Sequence, residues 1–225
     1  MRSRNLLVLG AFALLASSPA RGESSGTVVR GVVLRAAASA PTAGPARYRV
    51  HKSTEPSEPV PDAGCNCDPG RFAVVQLTGD HLPKIKLPVQ PPVMAQKDRM
   101  FVPSVLVVPV GGKVGFPNMD PFFHNVFSYS KSARFDLGRY PKGKSATVEF
   151  DEPGVVPIFC EIHYSMRAYI HVVDTPYYAV TDEQKRFEIA DVLPGEYVLH
   201  VWQENLPEIQ RTITVGAQPL ELEIP

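Results

Sequence analysis

Proline and glycine interrupt this chain so often that long helices have no room to form. Its 225 residues include 23 prolines and 16 glycines, and each proline removes a backbone donor and crowds the helical turn before it. Between the interruptions lie short runs rich in Val, Phe, Tyr and Ile. Short runs of this composition, separated by turn residues, predict an all-β sandwich or barrel.

The runs fall into three blocks. Gly26 to Leu34 and Phe72 to Leu77 read as two strands, separated by a polar, Pro-rich stretch from Ala36 to about Gly70 that reads as an exposed loop. Leu87 to Pro92 reads as a linker, since successive prolines cannot donate to a ladder. From Met100 the pattern is denser, with strands expected at Val102–Val110, Lys113–Phe116, His124–Phe127, Ala146–Phe150, Val155–Phe159 and Ala168–Val173. Their spacing suits a Greek-key sandwich. After Asp174-Thr175-Pro176, four segments alternate apolar and polar residues as half-buried strands do: Tyr177–Thr181, Arg186–Ile189, Tyr197–Trp202 and Gln210–Val215.

The N-terminus reads as a targeting segment over residues 1–20. Arg2 and Arg4 precede the apolar run Leu6–Leu15, and Ser18-Pro19-Ala20 offers small residues for cleavage after Ala20, with Gly22 as a second choice. The protein is therefore expected to be periplasmic or secreted, and no later stretch is apolar enough for a transmembrane anchor. Formal net charge is +0, and no basic block of the kind that neutralises phosphates is present, so nucleic acid is not an expected partner.

The segment Phe159-Cys160-Glu161-Ile162-His163-Tyr164-Ser165-Met166 carries the chemistry. It places a thiolate, an imidazole and a thioether at three-residue steps on one short loop, and His124 supplies a second imidazole from another strand. Two His and one Cys in a plane, with a long axial Met, is the donor set of a blue copper site. Asn125 is placed to hydrogen-bond across to the cysteine loop and hold the ligands. Phe122, Phe123 and Tyr164 surround the site, either filling the end of the sandwich or forming an apolar docking patch. The remaining histidines show no His-x-His pairing, and no Ser-His-Asp set, phosphate loop or paired-carboxylate motif stands out, so no enzyme is expected. Cys65 and Cys67 are left over. In an oxidising compartment they are expected to pair as a disulfide, the alternatives being a second metal site or a bond to another molecule.

Two separated motifs carry a family resemblance. Phe116-Pro117-Asn118-Met119-Asp120-Pro121-Phe122-Phe123-His124-Asn125-Val126-Phe127-Ser128 resembles the first-histidine segment of plastocyanins and amicyanins, and Pro153 to His163 resembles their cysteine loop. The resemblance implies a cupredoxin copper domain over residues 91–173, with one type 1 copper ion on His124, Cys160, His163 and Met166. Tyr164 departs from the pattern, because amicyanin-like loops often carry proline there. The flanks resemble carboxypeptidase regulatory-like (transthyretin-like) β-sandwich domains at Thr181–Ile189 and Val192–Leu199. That resemblance implies a second small β-sandwich, discontinuous in sequence, built from residues 24–90 and 174–225 with the copper domain inserted; two consecutive units are the alternative.

The function implied is an exported mononuclear copper protein that carries single electrons between redox partners, such as a cytochrome or a dehydrogenase. The alternatives are a periplasmic copper-binding or delivery protein, against which the lack of a Met-rich tract counts, and a surface β-scaffold with a vestigial copper domain.

Overall fold

The computed structural model describes residues 26–35 and 69–225. The expected targeting segment, Cys65 and Cys67 lie outside the described residues. Within them the fold is all-β: apart from a 3-10 turn at Pro69–Arg71, every regular element is a strand. The chain opens with β1 (Thr27–Val33) and β2 (Ala73–Thr78). A block of short strands follows: β3 (Ala95–Lys97), β4 (Met100–Val102), β5 (Val105–Pro109), β6 (Gly112–Pro117), β7 (His124–Tyr129), β8 (Arg134–Tyr140), β9 (Ser145–Phe150), β10 (Gly154–Phe159) and β11 (Arg167–Val173). It closes with β12 (Tyr178–Val180), β13 (Arg186–Val192), β14 (Gly195–Gln203), β15 (Ile209–Val215) and β16 (Leu220–Ile224).

The first two strands pair with the last five. β1 lies between β13 and β16, antiparallel to the former and parallel to the latter. β2 lies between β12 and β14, and β15 extends that sheet. The two sheets close over one core that includes Val29, Leu77, Phe187, Leu199 and Ile224. Gly31 marks the tightest approach, since a Cβ there would stand 2.1 Å from the carbonyl oxygen of Leu222 on β16.

The intervening strands form their own layers. A five-stranded sheet runs β5-β11-β10-β7-β8, and β6 pairs with β9. Val114, Phe116 and Phe150 from the pair share a core with Val126, Ile158 and Ile170 from the sheet. Burying a set of aliphatic and aromatic side chains like this is the main term holding such layers together, at about 1.5–3 kcal/mol for each. A third cluster joins the two systems: Val105, Val107 and Val173 pack on Phe72, Val74 and Trp202.

Four details differ from the sequence reading. Val102–Val110 is broken at Pro103 and Ser104, so that β4 and β5 belong to different sheets. β8 was not anticipated, because it is an edge strand whose residues are only half-buried or exposed. β16 was also missed; its Leu-Glu-Leu-Glu-Ile alternation buries only Ile224 fully. β3 was not expected either; it pairs with β4 through a turn at Asp98 and Arg99, both in the left-handed region at φ 54° and 59°, as a two-residue hairpin turn matched to strand twist requires.

Candidate metal centre

β10 ends at Phe159 and β11 begins at Arg167, so Cys160 to Met166 is the loop of a tight antiparallel hairpin. The loop closes on itself: the Met166 N–H donates to the His163 carbonyl at 3.0 Å, and the Cys160 N–H donates to the Met166 carbonyl at 3.4 Å. This folding turns Cys160 and Met166 into the end of the apolar core, where both are buried. His124, the first residue of β7, is brought to the same place and is fully buried.

Three donor atoms converge there. The Nδ1 atoms of His124 and His163 are 3.0 Å apart, and the Cys160 sulfur lies 3.8 Å from the first and 3.9 Å from the second. A triangle with these sides has a point about 2.1 Å from all three corners, the length of a metal–imidazole bond and a little under a metal–thiolate bond. These three residues could hold a metal ion, and Met166 is buried in the same apolar cluster as the cysteine.

The surrounding bonds fix this arrangement. The Asn125 side-chain oxygen accepts from the Glu161 N–H at 2.8 Å, and its amide donates to the Glu161 carboxylate at 3.4 Å, so β7 is strapped to the cysteine loop. Glu161 is also paired with Arg139 of β8. On the far side of His124, its Nε2 meets the Asp120 carboxylate at 2.8 Å. A carboxylate on Nε2 leaves Nδ1 facing the other donors, which is the orienting role such partners play at metal sites.

Asp120 was not singled out in the sequence, and it is the main functional candidate that reading missed. It is buried and accepts from the N–H groups of Asp98 and Arg99 at 2.7 and 2.9 Å. The β3–β4 turn therefore caps Asp120, and Asp120 holds His124. Asn118 shapes the loop between them: its side-chain oxygen accepts from the Asp120 N–H, and its amide donates to the carbonyls of Phe122 and Tyr140. The available signal was the Asn118-x-Asp120 spacing, an Asx turn that ends at Asp120, four residues before His124.

Electrostatics follow the contacts. Burial works against the Cys160 thiolate, but bonding to His124 and to the backbone N–H groups around it outweighs this and holds its pKa below the ordinary thiol value. Burial likewise opposes charge on His124, yet Cys160 and Asp120 together raise its pKa. The Asp120 carboxyl is held below the usual carboxylate range: burial opposes this, but the Arg99 N–H, His124 and the Asp98 N–H prevail. His163 is pushed down, first by burial and then by the neighbouring positive charges of His124 and Arg99. The pocket thus favours a thiolate beside a positively charged His124 and a neutral His163, and a metal ion bound there would displace the His124 proton.

Phe122 covers the site edge-on, its ring 5.2 Å from that of His124 and 5.6 Å from that of His163. The Arg99 guanidinium lies 5.2 Å from the Phe122 ring centre. Phe123 and Tyr164 are 55% and 66% exposed, and Met119 and Ile162 are exposed as well. His163 is half-buried and so is the one donor that approaches solvent.

The family model for polysaccharide lyase family 4, domain II, matches residues 163–219. That stretch begins inside the metal loop and runs through β15, so it takes in strands of both sheet systems. No curated protein matches the sequence. Among solved structures, a copper-containing nitrite reductase from Thermus scotoductus SA-01 is 24% identical, with a TM-score of 0.37 over 41% of this chain. The match spans only 25% of that enzyme. A reduced Cu(I) amicyanin variant is 19% identical, with a TM-score of 0.36 over 44% of this chain and 98% of its own. A purple cupredoxin from Nitrosopumilus maritimus is 22% identical, with a TM-score of 0.32 over 36% of this chain and 96% of its own.

Proposed function

We propose that this chain is an exported mononuclear copper protein that carries single electrons between redox partners and catalyses no reaction of its own. The observation that carries the reading is the donor triangle: one thiolate and two imidazole nitrogens facing a common point, with a buried thioether on the same loop. Structural zinc favours four strong ligands, whereas three strong donors with a weak axial thioether suit copper. His124, Cys160, His163 and Met166 would hold a copper ion, which would supply a reversible one-electron couple. The protein supplies rigidity. Asp120 holds the His124 ring, Asn125 ties the cysteine loop to β7, and the core of Phe116, Ile158 and Ile170 keeps water from the buried donors. His163, backed by Phe122 and flanked by Phe123 and Tyr164, is the edge through which a cytochrome or dehydrogenase would exchange electrons.

The pairing of β1 and β2 with β12–β16 supports a divided regulatory-like β-sandwich over 24–90 and 174–225, with the copper unit over 91–173 inserted into it. The targeting segment expected over residues 1–20 would fit an exported carrier, and among the described residues no helix is long and apolar enough to cross a membrane.

The test is a visible absorption spectrum of the purified protein with copper(II) added, followed by ascorbate. An intense thiolate-to-copper band that bleaches on reduction and is absent from Cys160→Ser is expected. A colour retained in Cys160→Ser, or copper bound with no such band in the parent, would overturn the reading.

A further inference from the structure

Basic side chains gather at the end of the molecule that holds the donor triangle. The β3–β4 hairpin brings Lys97 and Arg99 there, and Arg99 lies over Phe122. Across the opening, Tyr140 pairs with His124, so the turn that follows it, Pro141 to Lys144, stands at the same end. Asn118 fixes that turn by donating to the Lys144 carbonyl and accepting from the Gly143 N–H. Lys142 and Lys144 on it are exposed. The acids at this end are largely neutralised: Asp120 is buried on His124 and Glu161 is paired with Arg139, leaving Asp98.

The rest of the surface differs. The opposite end of the same strands mixes Lys131 and Arg134 with Asp151 and Glu152. The strands of the second sandwich, with the residues that flank them (26–35, 69–90 and 174–225), hold eleven acidic and eight basic side chains. Those strands pack against β5, the edge of the five-stranded sheet opposite β8. An incoming anionic surface is therefore drawn to the Lys142–Lys144 side of this end, where unpaired basic side chains outnumber the one unpaired acid, Asp98. Such a field acts within about 10 Å at 0.1 M salt, and Arg99 is in contact with the ring that covers His163.

We infer that the exposed Met119, Phe123, Ile162 and Tyr164 form the centre of a docking face whose basic rim, Lys97, Arg99, Lys142 and Lys144, selects an acidic redox protein. This inference rests on the electron-carrier reading for its purpose, but the surface can be tested apart from it. Charge on a rim mainly sets encounter rate and orientation, and steering of this kind raises association by about 10- to 1,000-fold at low salt.

The experiment uses the full chain and the double variant Lys142→Glu/Lys144→Glu, which alters exposed side chains only. First, the amide spectrum of the copper-free protein is titrated with hexacyanochromate(III), a redox-inert paramagnetic trianion. Broadening confined to residues near 97–99, 119–123 and 142–144, and lost in the variant, is expected. Broadening centred on Lys131 and Arg134 instead would overturn the assignment. Second, the reduced copper-loaded protein is oxidised by hexacyanoferrate(III), one electron passing from the site to iron(III) to give hexacyanoferrate(II). The rate should fall about tenfold from low to high salt and should drop in the variant. With the trication tris(phenanthroline)cobalt(III) both trends should reverse. Rates insensitive to salt and to the variant, with the blue band present, would sink the docking face alone. Localised broadening with no blue band would sink the carrier reading and leave the anion-attracting face. Binding to phosphatidylglycerol vesicles that is lost in the variant would overturn the protein partner in favour of a membrane.

Discussion

Lowering the pH should destabilise this fold through one residue outside the metal centre, His171. It lies on β11 at the seam between the two sandwiches, its ring 4.3 Å from that of Trp202, with its Nε2 buried and without a hydrogen-bond partner. Burial pushes its pKa from the ordinary 6.5 down to about 3. The folded protein thus keeps the imidazole neutral, while the unfolded chain takes up a proton below pH 6.5. The unfolded state binds more protons across this window, so stability falls as pH drops from 6.5 toward 3. At about 1.36 kcal/mol for each pH unit once protonation of the unfolded chain is complete, the loss between pH 7.5 and 4.5 is about 2.5 kcal/mol. The assay is urea unfolding followed by fluorescence of Trp202, the chain's one tryptophan, for the parent and for His171→Leu. The other histidines titrate alike in both chains and cancel in the comparison. The variant should lose about 2.5 kcal/mol less than the parent over this range. Equal losses, or a His171 ring that titrates near 6.5 by NMR, would refute the reasoning.

Two further substitutions probe other levels of the structure. Asp120→Asn should lower copper affinity about 10- to 100-fold, as loss of an orienting partner does, measured by competition with a chelator; unchanged affinity would show that the bond to His124 orients nothing. Gly31→Ala should cost about 1–3 kcal/mol, because the added methyl meets the Leu222 carbonyl and β1 and β16 must part. Thermal unfolding reads this, and an unaltered Tm would show that the two strands yield without cost.

The grouping of the candidate donors was legible because three of them lie on one loop, at spacings that survive any detail of folding. Asn125 was legible for the same reason, standing one residue beyond His124. Asp120 was not, since its role comes from burial and from the N–H groups of Asp98 and Arg99, which a hairpin some twenty residues upstream delivers. The strand alternation of Tyr197–Trp202 was readable because every second residue meets the core. β8 was not, because an edge strand asks only half-burial of Phe135 and Leu137 and leaves its arginines in water. Nor does composition reveal that β1 pairs with β16, a contact made across nearly the whole chain.

That pairing has a consequence for synthesis. As the chain leaves the ribosome, β1 appears first, yet neither of its neighbours exists until after β3–β11 have been made. Contacts so distant in sequence close slowly, so β1 must wait with both edges unpaired while the nine strands that frame the metal end are already complete. An exposed strand edge invites pairing with other chains. A product halted before Leu220 would thus carry every candidate metal donor and still leave β1 open on one side, and that open edge would decide whether it lasts.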